Sequence, residues 1–196
     1  MIPALILILS AIVYRIAMAL LIHSGQAPWL GNFAPLAAIA LCGAVYFPSR
    51  FKFTVPLGAL FISDLFLNYI YDASLVQLEM IGHYFALALV GLLGVALQNR
   101  ASLKTLLPTS IAGSTIFYLI TNVLSWLSDP GYVKTFAGFT QALTVGLPQY
   151  SATPTWMFFR NTLLSDLLFT LVFVACMNFG RSTSRGRAGA AFPRVA

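Results

Sequence analysis

Six apolar stretches, each near the length of a bilayer crossing, follow one another along this chain, and two of them carry an aspartate in mid-run. They cover roughly 2–23, 33–48, 53–71, 79–98, 105–127 and 155–179. A helix needs about 20 apolar residues to span the hydrocarbon core. The second stretch falls short of that and is expected either to cross with little tilt or to dip into the interface. The chain is 59% hydrophobic and 8% charged, with a mean hydropathy of +0.87, whereas a soluble domain carries about a quarter charged residues. Water does not solvate such a surface, so the expected solvent is lipid. The expected fold is all-α, a polytopic transmembrane bundle of about six spans.

The formal net charge of +6 does not mark a nucleic-acid binder. The eleven Lys and Arg fall in small groups between apolar blocks, four of them near the C-terminus. That is the pattern of cytoplasmic loops, not of a basic patch interleaved with aromatics. Arg50 and Lys52 follow the second stretch, Arg100 and Lys104 the fourth, and Arg181, Arg185, Arg187 and Arg194 the sixth. Lys134 alone falls in the alternate set of loops. This bias predicts that both termini are cytoplasmic. The first stretch lacks a basic leading region and holds Arg15 in its middle, so it reads as a span rather than a cleaved signal.

The acids define the interior. Ile62-Ser63-Asp64-Leu65-Phe66 and Leu164-Ser165-Asp166-Leu167-Leu168 place two of the five acidic residues inside membrane helices. A carboxylate near the midplane costs a few kcal/mol and needs a partner, a proton or a water-filled space. Asp64 shares a helix face with Asn68 and Tyr71. Asp166 shares one with Thr162, and Asn161 is spaced to pair with Ser165. Arg15 and Arg160 are the cations available to the two acids, and Arg15, Asp64 and Asp166 form the expected buried charge network. Ser114, Tyr118, Asn122 and Ser125 make a polar stripe on the fifth stretch. Asn32, Asn68, Asn122, Arg160 and Asn161 all fall in the outer half under this topology. Their convergence predicts a cavity open to the outside, with Arg160 suited to a carboxylate or phosphate on the ligand.

Residues 128–154 form a long outer connection. Phe136, Phe139, Leu143 and Leu147 recur at helical spacing there, which predicts a short amphipathic helix on the outer face, or a lid. Residues 1–180 read as one transmembrane domain. Residues 181–196 read as a basic, disordered cytoplasmic tail.

Catalytic signals are missing from the sequence. There is no phosphate-cradling G-x-x-x-x-G-K-[ST], no H-E-x-x-H and no G-x-S-x-G. The two cysteines, Cys42 and Cys176, lie in apolar runs without metal-ligand spacing, so neither a disulfide nor a metal is expected. Two mid-membrane aspartates meet one requirement of an intramembrane protease, but the glycine-flanked aspartate of that family is missing. The chain is not expected to be an enzyme or to hold a cofactor.

The run Asn32-Phe33-Ala34-Pro35-Leu36-Ala37-Ala38, the run from Pro56 to Asp64, Thr121-Asn122 with Trp126, and the run from Phe159 to Leu167 resemble an uncharacterised family of bacterial integral membrane proteins. The architecture more remotely resembles the substrate-binding S components of energy-coupling-factor vitamin transporters. Those have six helices, cytoplasmic termini, an outward pocket capped by outer loops, and a separate ATPase and coupling module as partner. They carry an Ala-x-x-x-Ala motif on helix one; here the nearest such motif is Ala40-x-x-x-Ala44, on helix two. The resemblance implies a small-molecule binding or uptake protein of the bacterial inner membrane. A non-catalytic structural or assembly subunit is the second reading, and a proton-coupled carrier using Asp64 and Asp166 the third.

Overall fold

The computed structural model describes residues 2–76 and 79–190, and the side chains of all of these but 181–190. Its regular elements are helices: α1 (Ile2–His23), α2 (Leu36–Tyr46), α3 (Thr54–Ile70), α4 (Glu79–Leu97), α5 (Leu103–Ser128), α6 (Phe136–Leu143) and α7 (Thr155–Ala190). Single 3-10 turns at Pro28–Leu30, Ser49–Phe51 and Gln98–Arg100 punctuate the connections. Five helical segments are long and apolar enough to cross a membrane: Ile2–His23, Ser49–Ile70, Glu79–Arg100, Leu103–Ser128 and Thr155–Gly180. Their outward faces are apolar, with Ile62, Ile81 and Phe179 each about 70% exposed. This is the pattern of helices solvated by lipid.

The second apolar stretch behaves differently. Only 11 residues of it are helical, about 16 Å of rise against about 30 Å of hydrocarbon. The Pro35 before it and the Pro48 after it bound the helix, because proline disfavours helical geometry at the residue it follows. Yet α2 is the most buried element, with every residue from Ala37 to Val45 enclosed. It packs against α1, α3, α4, α5 and α7, most extensively against α4. A helix that is apolar on all sides belongs in an interior, and α2 is the axis of this bundle.

Small side chains permit that placement. Ala37, Ala38, Ala40, Cys42, Gly43 and Ala44 let neighbouring backbones come close, the usual device for packing helices in lipid. A Cβ at Gly94 of α4 would lie 2.5 Å from the Leu41 carbonyl oxygen of α2 and 2.9 Å from the Ala44 Cβ. Gly43 approaches the ring of Pro56 on α3 in the same way, 2.6 Å from where its Cβ would stand.

The connections gather at two opposite ends. At one, Lys52 donates to the Gln98 side chain, joining the turn before α3 to the end of α4; Arg50 and Arg100 lie in the same turns, and Lys104 in the first turn of α5. At the other, His23 stacks on Tyr71 at 4.8 Å, and the Asn161 amide donates to the carbonyls of Trp29 and Gly31 at 2.8 and 2.9 Å. The segment 129–154 lies at this second end. Helix α7 continues through residue 190, where the sequence leads one to expect an unstructured tail from 181; residues 191–196 of that tail lie outside the described residues.

The expected amphipathic helix in 128–154 is present as α6, shorter than the apolar spacing implied. Its N-cap is Thr135, whose Oγ1 accepts from the Gly138 N–H at 3.3 Å. Leu147 lies past its end and packs with Tyr132 and Ala142 instead. Three bonds fix the segment to α5: the Tyr118 hydroxyl donates to the Leu143 carbonyl, the Trp126 indole to the Val133 carbonyl at 3.0 Å, and Lys134 to the Trp126 carbonyl.

Candidate functional site

A cavity of about 660 Å³ opens at the end of the bundle where α6 lies. Its wall is assembled from one face of each surrounding helix. Arg15, Ala19 and Ile22 come from α1; Asp64 and Asn68 from α3, with Tyr71 at its C-cap; Met80, His83 and Leu87 from α4; Phe117 and Thr121 from α5; Phe158 and Thr162 from α7. In every case the spacing is three or four residues, so each group stands on a single helical face. The connection 28–36 supplies Asn32 and Phe33, and residues 151–153 form part of the wall opposite. A smaller space of about 190 Å³ adjoins it, sharing Asn32, His83, Phe117, Thr121, Phe158 and Thr162 and adding Asn122.

The charge chemistry centres on Asp64. Arg15 forms an ion pair with its Oδ1 and also donates to the Ser63 hydroxyl. The Tyr84 hydroxyl donates to Asp64 Oδ2 at 2.5 Å. Thus the first expected pairing, Arg15 with Asp64, is made, and both side chains face the cavity.

The second pairing is not made. Asp166 is fully buried, and its carboxylate accepts from the Ala38 backbone N–H at 2.9 Å and from the Ser114 hydroxyl at 2.7 Å. Ala38 stands in the first turn of α2, where backbone N–H groups lack helical partners. A carboxylate from α7 therefore caps α2 from outside, a place the helix dipole also favours for a negative charge. Next to it, the Ser165 hydroxyl is buried with no hydrogen-bond partner among the described residues. Asp166 thus belongs to the packing of α2, α5 and α7, away from the Arg15–Asp64 pair and the cavity wall.

Of the five residues expected to bind ligand, three line the two spaces. Asn32 faces both, Asn68 the larger and Asn122 the smaller. Asn68 also donates to the Leu75 carbonyl at 3.1 Å, and Asn122 to the Tyr118 carbonyl at 2.8 Å. Asn32 adopts φ of 60°, a conformation asparagine tolerates better than most residues. That turn aims its carbonyl at α7, where the Thr162 hydroxyl donates to it at 3.1 Å.

Arg160 and Asn161 stand elsewhere. Asn161 is buried and holds the 29–31 turn through its two donor bonds, not Ser165 as its spacing implied. Its carbonyl oxygen accepts from Arg160 Nε and Nη2 at 3.1 and 2.9 Å. The Arg160 guanidinium also lies 5.8 Å from the centre of the Trp156 ring. Arg160 does not line the cavity, so the ligand carboxylate or phosphate expected for it has no place there. The cation that does line it, Arg15, was read only as a structural partner; its position one helical turn below Ala19 on the cavity face of α1 was the available signal.

A family model matches residues 1–186, and it describes a family of unknown function, DUF6580. The chain belongs to this family. No curated protein and no solved structure matches it. The DUF6580 match spans every helix that builds the cavity, from Arg15 on α1 to Thr162 on α7. Among the described residues, no group of three or more His, Cys, Asp or Glu side chains is placed to hold a metal ion.

Proposed function

We propose that this DUF6580 chain is a multi-pass membrane protein that binds a small molecule in the 660 Å³ cavity and serves its uptake, in the manner of an S component and without catalysis of its own. The cavity is the observation that carries the reading. Its volume lies within the range of small-molecule sites, and a mostly apolar wall with a few convergent polar groups is what such sites use for binding and orientation. In this reading α2 and its non-helical flanks make the short sixth pass. Both termini and the basic residues 181–196 face the cytoplasm of a bacterial inner membrane, and the cavity opens outward. The loop cations support this, since Arg50, Lys52, Arg100 and Lys104, at the ends of helices, do not line the cavity. A separate ATPase and coupling module would supply the energy.

The test is mass spectrometry of small molecules released from the detergent-purified protein. Expected is one compound enriched in stoichiometric amount over a variant with the cavity filled by Thr121→Trp. Equal recovery of everything from both proteins would sink the reading. The alternative of a structural or assembly subunit is favoured by one specific feature: Asp166, Asn161 and Ser114 spend their hydrogen bonds inside the bundle. A proton-coupled carrier would have to work through Asp64, since Asp166 does not reach the cavity wall.

A further inference from the structure

The charges on the cavity wall do not balance. Arg15, Asp64 and Glu79 are its fully charged side chains among the described residues, one cation against two carboxylates. Arg15 is neutralised by Asp64, to which it is bonded. Glu79 has no ion-pair partner among the described residues. It is exposed where α4 begins, at the same end of the bundle as Asn68 and Tyr71. His83, one turn further along α4, also faces this wall. The cavity is also rich in rings: Phe33, Tyr71, Phe117 and Phe158 face it.

We infer that the cavity takes an organic cation, a molecule carrying a protonated amine on an aromatic or apolar frame. The inference rests on the proposed small-molecule binding and adds the ligand's charge. Glu79 stands exposed at the edge of the cavity, so its pull on a cation is partly screened by solvent and acts on the approach as well as in the bound state. Aromatic faces add to that attraction, because their negative π-surface favours an ammonium within about 6 Å. An anionic ligand meets the reverse: Glu79 repels it, and Arg15 reaches it only by leaving Asp64 unpaired, which is costly for a charge so placed. The neutral side chains Asn32, Asn68, Thr121 and Thr162 can serve the polar atoms of the frame.

Three compounds of one size and different charge test this: 2-phenylethylamine, 2-phenylethanol and phenylacetate. Binding of each to the full chain is measured by titration calorimetry, in detergent and in phosphatidylglycerol nanodiscs with and without phosphatidylethanolamine. The amine is expected to bind at least about tenfold more tightly than the alcohol, with phenylacetate weakest. Glu79→Gln should bring the amine down to the alcohol's affinity while leaving the alcohol unchanged, and Glu79→Asp should keep the preference. Loss of amine binding only where phosphatidylethanolamine is present assigns the cation to a lipid headgroup, which upholds the class. Equal binding of all three, or tightest binding of phenylacetate, overturns the cation and leaves the binding cavity standing. Saturable binding of none of them overturns the cation, while the binding reading stands or falls on the co-purification test.

Discussion

Asp166 of α7 accepts a hydrogen bond from the backbone of Ala38, 128 residues earlier, and so caps the first turn of the central helix. Pro35, the residue that should cap α2 locally, has no side-chain acceptor to offer. The long-range carboxylate fills that vacancy and ties α7 to the axis of the bundle. Asp166→Ala should remove the cap and leave both the Ala38 N–H and the Ser114 hydroxyl short of a partner, at about 2–4 kcal/mol in all. Asp166→Asn keeps an acceptor oxygen and should lose less than half as much. Thermal unfolding in detergent reads both; an unchanged unfolding temperature for Asp166→Ala would mean the cap contributes nothing.

The Arg15–Asp64 pair makes a different prediction. Arg15→Leu or Asp64→Leu alone strands a partly buried charge, for which losses of about 3–5 kcal/mol are typical. Both side chains retain some exposure, 12% and 20%, so the expected loss is at the low end. The double variant should recover most of it, as apolar pairs replacing ion pairs do. Losses that simply add would show that the two residues act independently.

Close packing at Gly94 gives a third. Gly94→Val must push against the Leu41 carbonyl, which is backbone of α2 and cannot rotate away. Overpacking of this kind costs about 1–3 kcal/mol. Gly58, where a Cβ would meet nothing within 4 Å, is the control, and Gly58→Ala should leave the unfolding temperature unchanged or slightly raised. The same unfolding temperature for wild type and Gly94→Val would refute the close approach.

Membrane orientation is checked with reporter fusions after Ala196 and near Asp129. A cytoplasmic reporter at the first site and an external one at the second are expected from the loop cations. Both reporters on one side would contradict the arrangement of α5 and α7 about the outer segment.

The long helices were legible because their apolar runs are long and their ends carry charge or proline. Arg15 with Asp64 was legible too, since a mid-membrane acid has few cations to choose from. The cap on α2 was not, because its acceptor and donor lie on α7 and α2, far apart in the chain, and a backbone N–H has no sequence signature. Asn161 was misread for the same reason: its partners are the carbonyls of Trp29 and Gly31, which any residue would provide. Arg160 was assigned to a ligand on charge alone, while its neighbours Asn161 and Trp156 already satisfy it. The apolar spacing of Phe136 to Leu147 marked α6 but overran it, because Leu147 is buried through a loop and not through helical periodicity.

The place of α2 has a mechanical consequence. A helix that touches all five long helices acts as a spindle, and no plane divides the bundle into two halves without stripping it bare. Rocking of one half against the other, the motion by which many carriers expose a site first to one side and then to the other, would tear Gly94 from Leu41 and Asp166 from Ala38. Residues 151–153, and Glu79 at the start of α4, line the cavity without belonging to α2. Under the proposed uptake reading, movement would fall to the edge of the cavity and not to a parting of the bundle around α2.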